Sequence, residues 1–366
     1  MDRKYLSRAL SLVVVTGLLA VAHAAYGVMY TITPLGTFGN NSSQPNAINA
    51  SGQIVGYAWT SSTSLHAFLY DGTMHDLGTF GGTNSQAWGI NASGQVVGLA
   101  NTSENIRHAF LYDGTMHDLG TLGGASSTAM DINASGQIIG NSYTSGGTSQ
   151  HAFLYSNGVM QDLGSLGGDY RYATAINDSG QIAGYTEITG NTTMHAYVYD
   201  NINTMHDLGT LGGTDSYAKD INASGQVVGY SNTNGNTRHA FLYDNTNTMH
   251  DLGTLGGTES FANAINASSQ VVGYSDTSGN AATHAFLYDG TMHDLNSLVS
   301  PGSGWWITSA HAINDNGWIA AKGYNLAFNN GTIQALLLTP VPEPASLGIL
   351  GMGVIGMLVR RRSAGR

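Results

Sequence analysis

The chain has 366 residues, 10% of them charged, with 50 Gly, 6 Pro, no Cys and a formal net charge of −11 at pH 7. Charge this sparse, beside glycine at near twice its usual share, excludes a coiled coil, and the acidic balance excludes a basic nucleic-acid binder. The lack of cysteine excludes a disulfide scaffold, while 42% apolar residues suffice for a sizeable core and exclude wholesale disorder.

Arg3, Lys4 and Arg8 lead into an apolar run from Ala9 to Ala22 and the small-x-small pattern Ala22-His23-Ala24. This order predicts a secretory signal peptide over residues 1–24, removed by signal peptidase. Tyr30 to Gly39 then reads as a lone strand, followed by a body in which one unit recurs.

The phrase Ile-Asn-x-x-Gly-Gln-apolar-apolar-Gly begins at Ile48, Ile90, Ile132, Ile176, Ile221, Ile265 and, degraded, at Ile313; its asparagines lie 42, 42, 44, 45, 44 and 48 residues apart. A second phrase, His-Ala-Phe-Leu-Tyr or a variant, starts at His66, His108, His151, His195, His239 and His284. A third, Met-His-Asp-Leu-Gly-Thr-Leu-Gly-Gly or a variant, starts at Met74, Met116, Met160, Met205, Met249 and Met292. Each period reads as four strands, here Ser85 to Asn91, Gln95 to Leu99, His108 to Tyr112 and Met116 to Leu122. Asp113-Gly114 forms the tight hairpin turn, because a two-residue turn needs positive φ at both positions.

Four short antiparallel strands per period match a β-propeller blade. The last unit stops after Gln334 to Leu338 without a fourth strand, and the chain begins with a fourth strand that lacks the first three. The sequence therefore predicts an all-β, seven-bladed propeller over 25–340, closed by the N-terminal strand. A linear solenoid is the competing arrangement, and it gives no reason for complementary missing pieces. The His-Ala-Phe phrases resemble the bacterial extracellular HAF-repeat family over nearly all of residues 30–340. That resemblance implies an extracellular location and supplies no catalytic chemistry.

Repetition also weighs the residues that look reactive. The body holds twelve histidines, but copies on the outer strands of successive blades are too far apart to share a tetrahedral metal, so no metal site is predicted. His66, Asp76 and their copies are read as hydrogen-bond partners within a blade. Asn49, Asn91, Asn133, Asn222 and Asn266 satisfy Asn-x-Ser but are read as turn caps. Gly81-Gly82 and Gly123-Gly124 are read as turns into the inner strands. No cofactor is implied; calcium stands as an alternative without a ligand loop to support it.

Function is expected where the repeat breaks. The connections between second and third strands and between blades share one rim, which carries Trp59, Glu104, Arg107, Asp169, Arg171, Glu187, Asp215, Glu259 and Asp276. Trp305 and Trp306 follow the longest connection, Asn296 to Gly304. They either stack on sugar faces beside the rim acids or pack the closing blade.

The tail reads Pro342-Glu343-Pro344, an apolar stretch from Ala345 to Val359 and Arg360-Arg361-Arg362. Fifteen helical residues reach about 22 Å, short of the roughly 30 Å hydrocarbon core, so an ordinary anchor helix is the alternative reading. The three parts resemble the PEP-CTERM sorting tail of Gram-negative bacteria. The resemblance implies transient residence in the inner membrane through 341–366, processing by an exosortase near Pro-Glu-Pro, and delivery from the periplasmic side to the cell surface or matrix. Without Asp2, Arg3, Lys4, Arg8, Glu343, Arg360, Arg361, Arg362 and Arg366, the body's formal charge falls from −11 to −16. Such a body repels nucleic acid. The expected role is a non-enzymatic matrix or surface module, either binding, with an extracellular polysaccharide or a surface protein as partner, or purely structural as a spacer of the matrix. The alternative is a glycosidase or lyase that uses rim carboxylates such as Glu104, Glu187 and Glu259.

Overall fold

A computed structural model describes residues 28–341 apart from 40–41, 147–149, 165–166, 189–192, 201–203 and 328–330, together with the backbone alone of 167–170. The leader 1–24 and the tail with Pro342, Glu343, Pro344, Arg360, Arg361 and Arg362 lie outside the described residues. Among the described residues no helix is long and apolar enough to cross a membrane.

The chain forms seven four-stranded antiparallel sheets. Blade 2 shows the pattern: Gly81–Ile90, Val96–Thr102, Arg107–Tyr112 and Met116–Asp118. Blade 1 starts with Ser43–Ile48, blade 3 with Gly123–Ile132, blade 4 with Gly167–Ile176, blade 5 with Gly212–Ile221 and blade 6 with Gly256–Ile265. Blade 7 joins Trp305–Ile313, Ile319–Asn325 and Gln334–Pro340 to Tyr30–Gly36, so the N-terminal strand closes the ring. Thr31–Thr339 is one compact unit; in the described part of a second unit, the Val341 amide donates to Met29 O.

Strand lengths differ from the sequence expectation for two reasons. The fourth strand ends at Asp118 rather than Leu122, because the Asp118 carboxylate accepts the Gly120 amide at 2.8 Å and turns the chain out of the sheet. The Gly-Gly pair belongs to the inner strand instead of the turn: Gly81, at φ +91°, pairs with Thr102. Close approach also fixes glycine in the second strand, where a Cβ on Gly98 would sit 2.0 Å from Gln86 O.

Each first strand carries a bulge near its end, between Ala87 and Gly89 in blade 2 and between Ala310 and Ala312 in blade 7. The extra residue bends the strand and frees one side chain to reach sideways. Asn46 donates to Ala87 O, Thr174 to Ala218 O and Asn263 to Ala310 O, each in the following blade.

The repeated asparagines cap turns as expected and also do something the sequence reading missed. Each carboxamide oxygen accepts the backbone amide four residues on, at 2.9–3.0 Å. Each Nδ2 donates to the corresponding asparagine carbonyl in the next blade: Asn49 to Asn91, then to Asn133, Asn177, Asn222, Asn266, Asn314 and back to Asn49. These are buried amides with their hydrogen bonds met, which is the condition for burying them at all.

The apolar core lies in the seams between blades. Val228, Ala240 and Leu252 of blade 5 pack on Ala262, Ile265, Val271 and Phe286 of blade 6. Alanine lets the sheets approach, and one fully buried ring per blade fills the gap: Phe68, Phe110, Phe153, Tyr197, Phe241 and Phe286, with Leu336 in blade 7. Two carboxylates interrupt this pattern. Asp131 accepts the amides of Ile132 and of Ile176 in the next blade, and Asp220 those of Ile221 and Ile265. Burial pushes them up to about 7 and about 6 from 3.8.

Candidate functional site

The first two strands of blades 4, 5 and 6 present paired rings: Tyr172 opposite Tyr185, Tyr217 opposite Tyr230, and Phe261 opposite Tyr274. The rings also meet from blade to blade, with successive centroids 4.8, 5.0, 4.9, 4.9 and 4.8 Å apart. Stacked and edge-on contacts alternate along this ladder, as aromatic quadrupoles prefer. In blade 7 the same cross-strand pair is Ser309 opposite Lys322. Two small or flexible side chains stand where blades 4 to 6 hold two rings, and the ladder stops at Tyr274; blades 1 to 3 hold Gln44 with Tyr57, Gln86 with Leu99 and Thr128 with Asn141 there.

The space left is a cavity of about 680 Å³ between blades 6 and 7. Asn263, Tyr274, Ala282 and Thr283 line one wall; Trp306, Thr308, Ser309, His311, Lys322 and Tyr324 line the other. Blade 7 has two register shifts, after Ile307 and after Ala310, so Thr308 and His311 are both bulge residues turned into this seam. Lys322 also borders a second cavity of about 220 Å³ with Gln44, Tyr57, Trp59 and Gln86. Its ammonium donates to Gln44 Oε1 at a long 3.4 Å.

The walls are polar but incompletely bonded. Among the described residues His311 Nε2 and Ser309 Oγ are buried with no hydrogen-bond partner, and Ser309 is 5% exposed. His284 Nε2 is in the same state, and its ring meets Trp306 edge-on at 4.7 Å. Burial, reinforced by the Lys322 charge, pushes His311 down to about 3, and burial lowers Lys322 as well. Burial first, then the Glu259 charge, raises Tyr274. Among the described residues no carboxylate lines either cavity.

The residues singled out by sequence fall in different places. Trp306 is 40% exposed and lines the larger cavity, and Trp59 lines the smaller; Trp305 is half-buried and lines neither. Glu104 and Arg107 are exposed on the rim of blade 2, away from both lining sets. Asp215 accepts the Met194 amide of blade 4 and hydrogen bonds from Thr214 and Asn232, which ties it to its own seam. The Asp169 side chain lies outside the described residues.

Arg171, expected on the accessible rim, is 2% exposed. It replaces a serine that in other blades clasps the preceding connection, as Ser216 Oγ donates to Gly209 O. The guanidinium donates to Leu163 O and Gly164 O and lies over the rings of Tyr197 and Tyr199 at 5.2 and 5.4 Å. A buried cation held this way is a structural clamp.

The His–Asp repeats bond within blades. His66 Nδ1 lies 2.8 Å from Asp76, and His75 Nε2 lies 2.8 Å from Asp71. Among the described residues no three His, Asp or Glu converge as metal ligands. The residues missed by sequence reading are Asn263, Tyr274, His311, Lys322 and Tyr324. Their signal was the loss of the aromatic pair at Ser309 and Lys322, inside strands rather than in loops.

Residues 167–331 match a family model described as "Protein of unknown function (DUF3466)", and residues 340–362 match the PEP-CTERM protein-sorting motif. That motif implies processing by an exosortase and export to the cell envelope or surface. No curated protein matches the sequence. Among solved structures, the chain is similar to TolB from Acinetobacter baumannii at 13% identity and TM-score 0.41, covering 87% of this chain and 82% of that one. It is similar to a gluconolactonase from Xanthomonas campestris at 12% identity and TM-score 0.40, covering 86% and 95%. The Aleuria aurantia lectin matches at 13% identity and TM-score 0.36, covering 83% and 97%.

Proposed function

We propose that this exported propeller is a non-enzymatic binding module of the cell surface or extracellular matrix, and that it holds a carbohydrate in the cavity between blades 6 and 7. The observation that carries this reading is the break in the aromatic ladder. Where the ladder of blades 4 to 6 ends, blade 7 presents Ser309 and Lys322 and a concave site with Trp306, Tyr274 and Tyr324 around it. Aromatic faces take the apolar faces of sugars, while Asn263, Thr283 and Thr308 offer groups for hydroxyls. The HAF-repeat assignment and the boundaries 1–24, 25–340 and 341–366 belong to the same proposal, with signal peptidase and exosortase as processing partners.

Trp306→Ala is the direct test, because a 40% exposed side chain can be removed without opening the core. The purified protein is expected to retain polysaccharide from its own cells in a pull-down. The variant is expected to lose at least about tenfold in affinity. Equal retention by both proteins would remove the cavity from the account. An enzymatic alternative needs two carboxyl groups about 5 to 9.5 Å apart, and nothing in the cavity lining advances it.

A further inference from the structure

The cavity has a charge character opposite to that of the molecule around it. The chain carries −11 overall, and Lys322 is one of five Lys or Arg residues between 25 and 341. Of the others, Arg171 is committed to backbone carbonyls and Lys219 sits over the Tyr230 ring, 5.7 Å from its centroid. Lys322 has no such commitment. Among the described residues no acidic partner shifts it, its ammonium has the 3.4 Å contact to Gln44 alone, and its position is one that stacked rings occupy in blades 4 to 6. An ammonium half-withdrawn from water without a carboxylate costs stability unless something compensates it.

Two neutral neighbours point the same way. Ser309 Oγ and His311 Nε2 line the same cavity, buried and unpartnered. Equivalent bulge residues in blades 1, 4 and 6 spend their polar group on the next blade's carbonyl, whereas His311 Nε2 does not. A hydroxyl, an imidazole and an ammonium are therefore grouped at one wall; among the described residues Ser309 Oγ and His311 Nε2 have no partner and the ammonium has the long contact to Gln44. On the opposite side the charges of Glu259, Arg238 and Asp276, in that order, act on the Tyr274 phenol.

Resting on the carbohydrate reading above, we infer that the ligand is an acidic saccharide, whose carboxylate meets Lys322, Ser309 and His311 while its ring lies against Trp306. Charge-assisted hydrogen bonds from an ammonium are about twice as strong as neutral ones, so this end dominates orientation. Because Lys322 faces both cavities, with Trp59 and Tyr57 in the second, an extended chain of such sugars has a continuation on the far side of blade 7.

The test is a glycan array carrying alginate, polygalacturonate and hyaluronan fragments beside their carboxyl-reduced neutral counterparts, probed with the wild-type protein, Lys322→Met and Trp306→Ala. Wild type is expected to prefer at least one acidic fragment over its reduced form by about tenfold to a hundredfold. Lys322→Met is expected to erase that preference while keeping the wild-type unfolding midpoint within a few degrees, and Trp306→Ala to lose both forms. Equal binding of acidic and reduced forms would overturn the acidic inference and leave carbohydrate binding standing. An acidic preference that survives in Lys322→Met would overturn the assignment to this lysine. No binding to any glycan would overturn both readings together.

Discussion

Blades 4 to 6 and blade 7 solve the same packing problem in opposite ways. In blades 4 to 6 the two inner strands hold a ring pair, and six rings stack without a gap from Tyr172 to Tyr274. In blade 7 Ser309 and Lys322 take those places, and the seam holds space and three unpartnered polar atoms instead. Repetition makes the difference readable. Three blades, 4 to 6, hold a ring pair at this position, while blades 1 to 3 hold Gln44 with Tyr57, Gln86 with Leu99 and Thr128 with Asn141, so what sets blade 7 apart is the charge of Lys322.

The comparison breaks most visibly if a ring is taken out of the filled seams. Tyr230→Ala should cost about 3 kcal/mol in denaturant unfolding, because it removes the ring that joins Tyr217 to Phe261 and leaves a cavity in the middle of the ladder. Lys322→Ala should stay within about 1 kcal/mol of wild type, since no packing is lost there. Similar losses in both variants would show that blade 7 is packed like the rest.

A second contrast separates blades 3 and 5 from the others. Asp131 and Asp220 stand where Ala175, Ala264 and Ala312 stand elsewhere, and their folded values of about 7 and about 6 exceed the ordinary 3.8. A raised carboxyl value means ionisation favours the unfolded chain. Its stabilising contribution is therefore fully present below about pH 4 and is lost as pH rises through about 6 to 7. Relative to an Asp131→Asn variant, wild type should gain on the order of 2 kcal/mol on going from pH 7.5 to 4.5. Parallel stability profiles in chemical denaturation would contradict this.

The smallest effect sharpens the comparison most. Ser309→Phe with Lys322→Tyr rebuilds the ladder in blade 7 and should raise stability by about 1 kcal/mol while abolishing ligand binding. A thermal melt and the same glycan array read both outcomes. A destabilised double variant would show that the seam's backbone has also diverged.

Architecture was legible in the sequence because every element was written several times. Asp-Gly turns, the 42 to 48 residue period and the complementary ends at Tyr30 and Leu338 fix the number of blades and their closure. Strand limits were less legible, since a carboxylate such as Asp118 reaching two residues ahead, and a glycine that joins a ladder at positive φ, leave no periodic mark. The site was half legible. Trp59 and Trp306 stood out as rare large residues, but Lys322 and His311 lie inside strands, and only lining up the cross-strand pairs shows that Lys322 replaces a tyrosine. Arg171 misled because charge suggests a surface, whereas here carbonyls and two rings satisfy it in the interior.

Closure of the ring sets an order of events in time. Thr31 meets Thr339 across 308 residues, and the amide that completes the asparagine circuit spans 265. Contacts this remote along the chain are the slowest to form. Blade 7 cannot pair with the N-terminal strand until Gln334–Pro340 is made, so the ring stays open until nearly the whole propeller has been synthesised. The lock engages only when the last strand has reached the first.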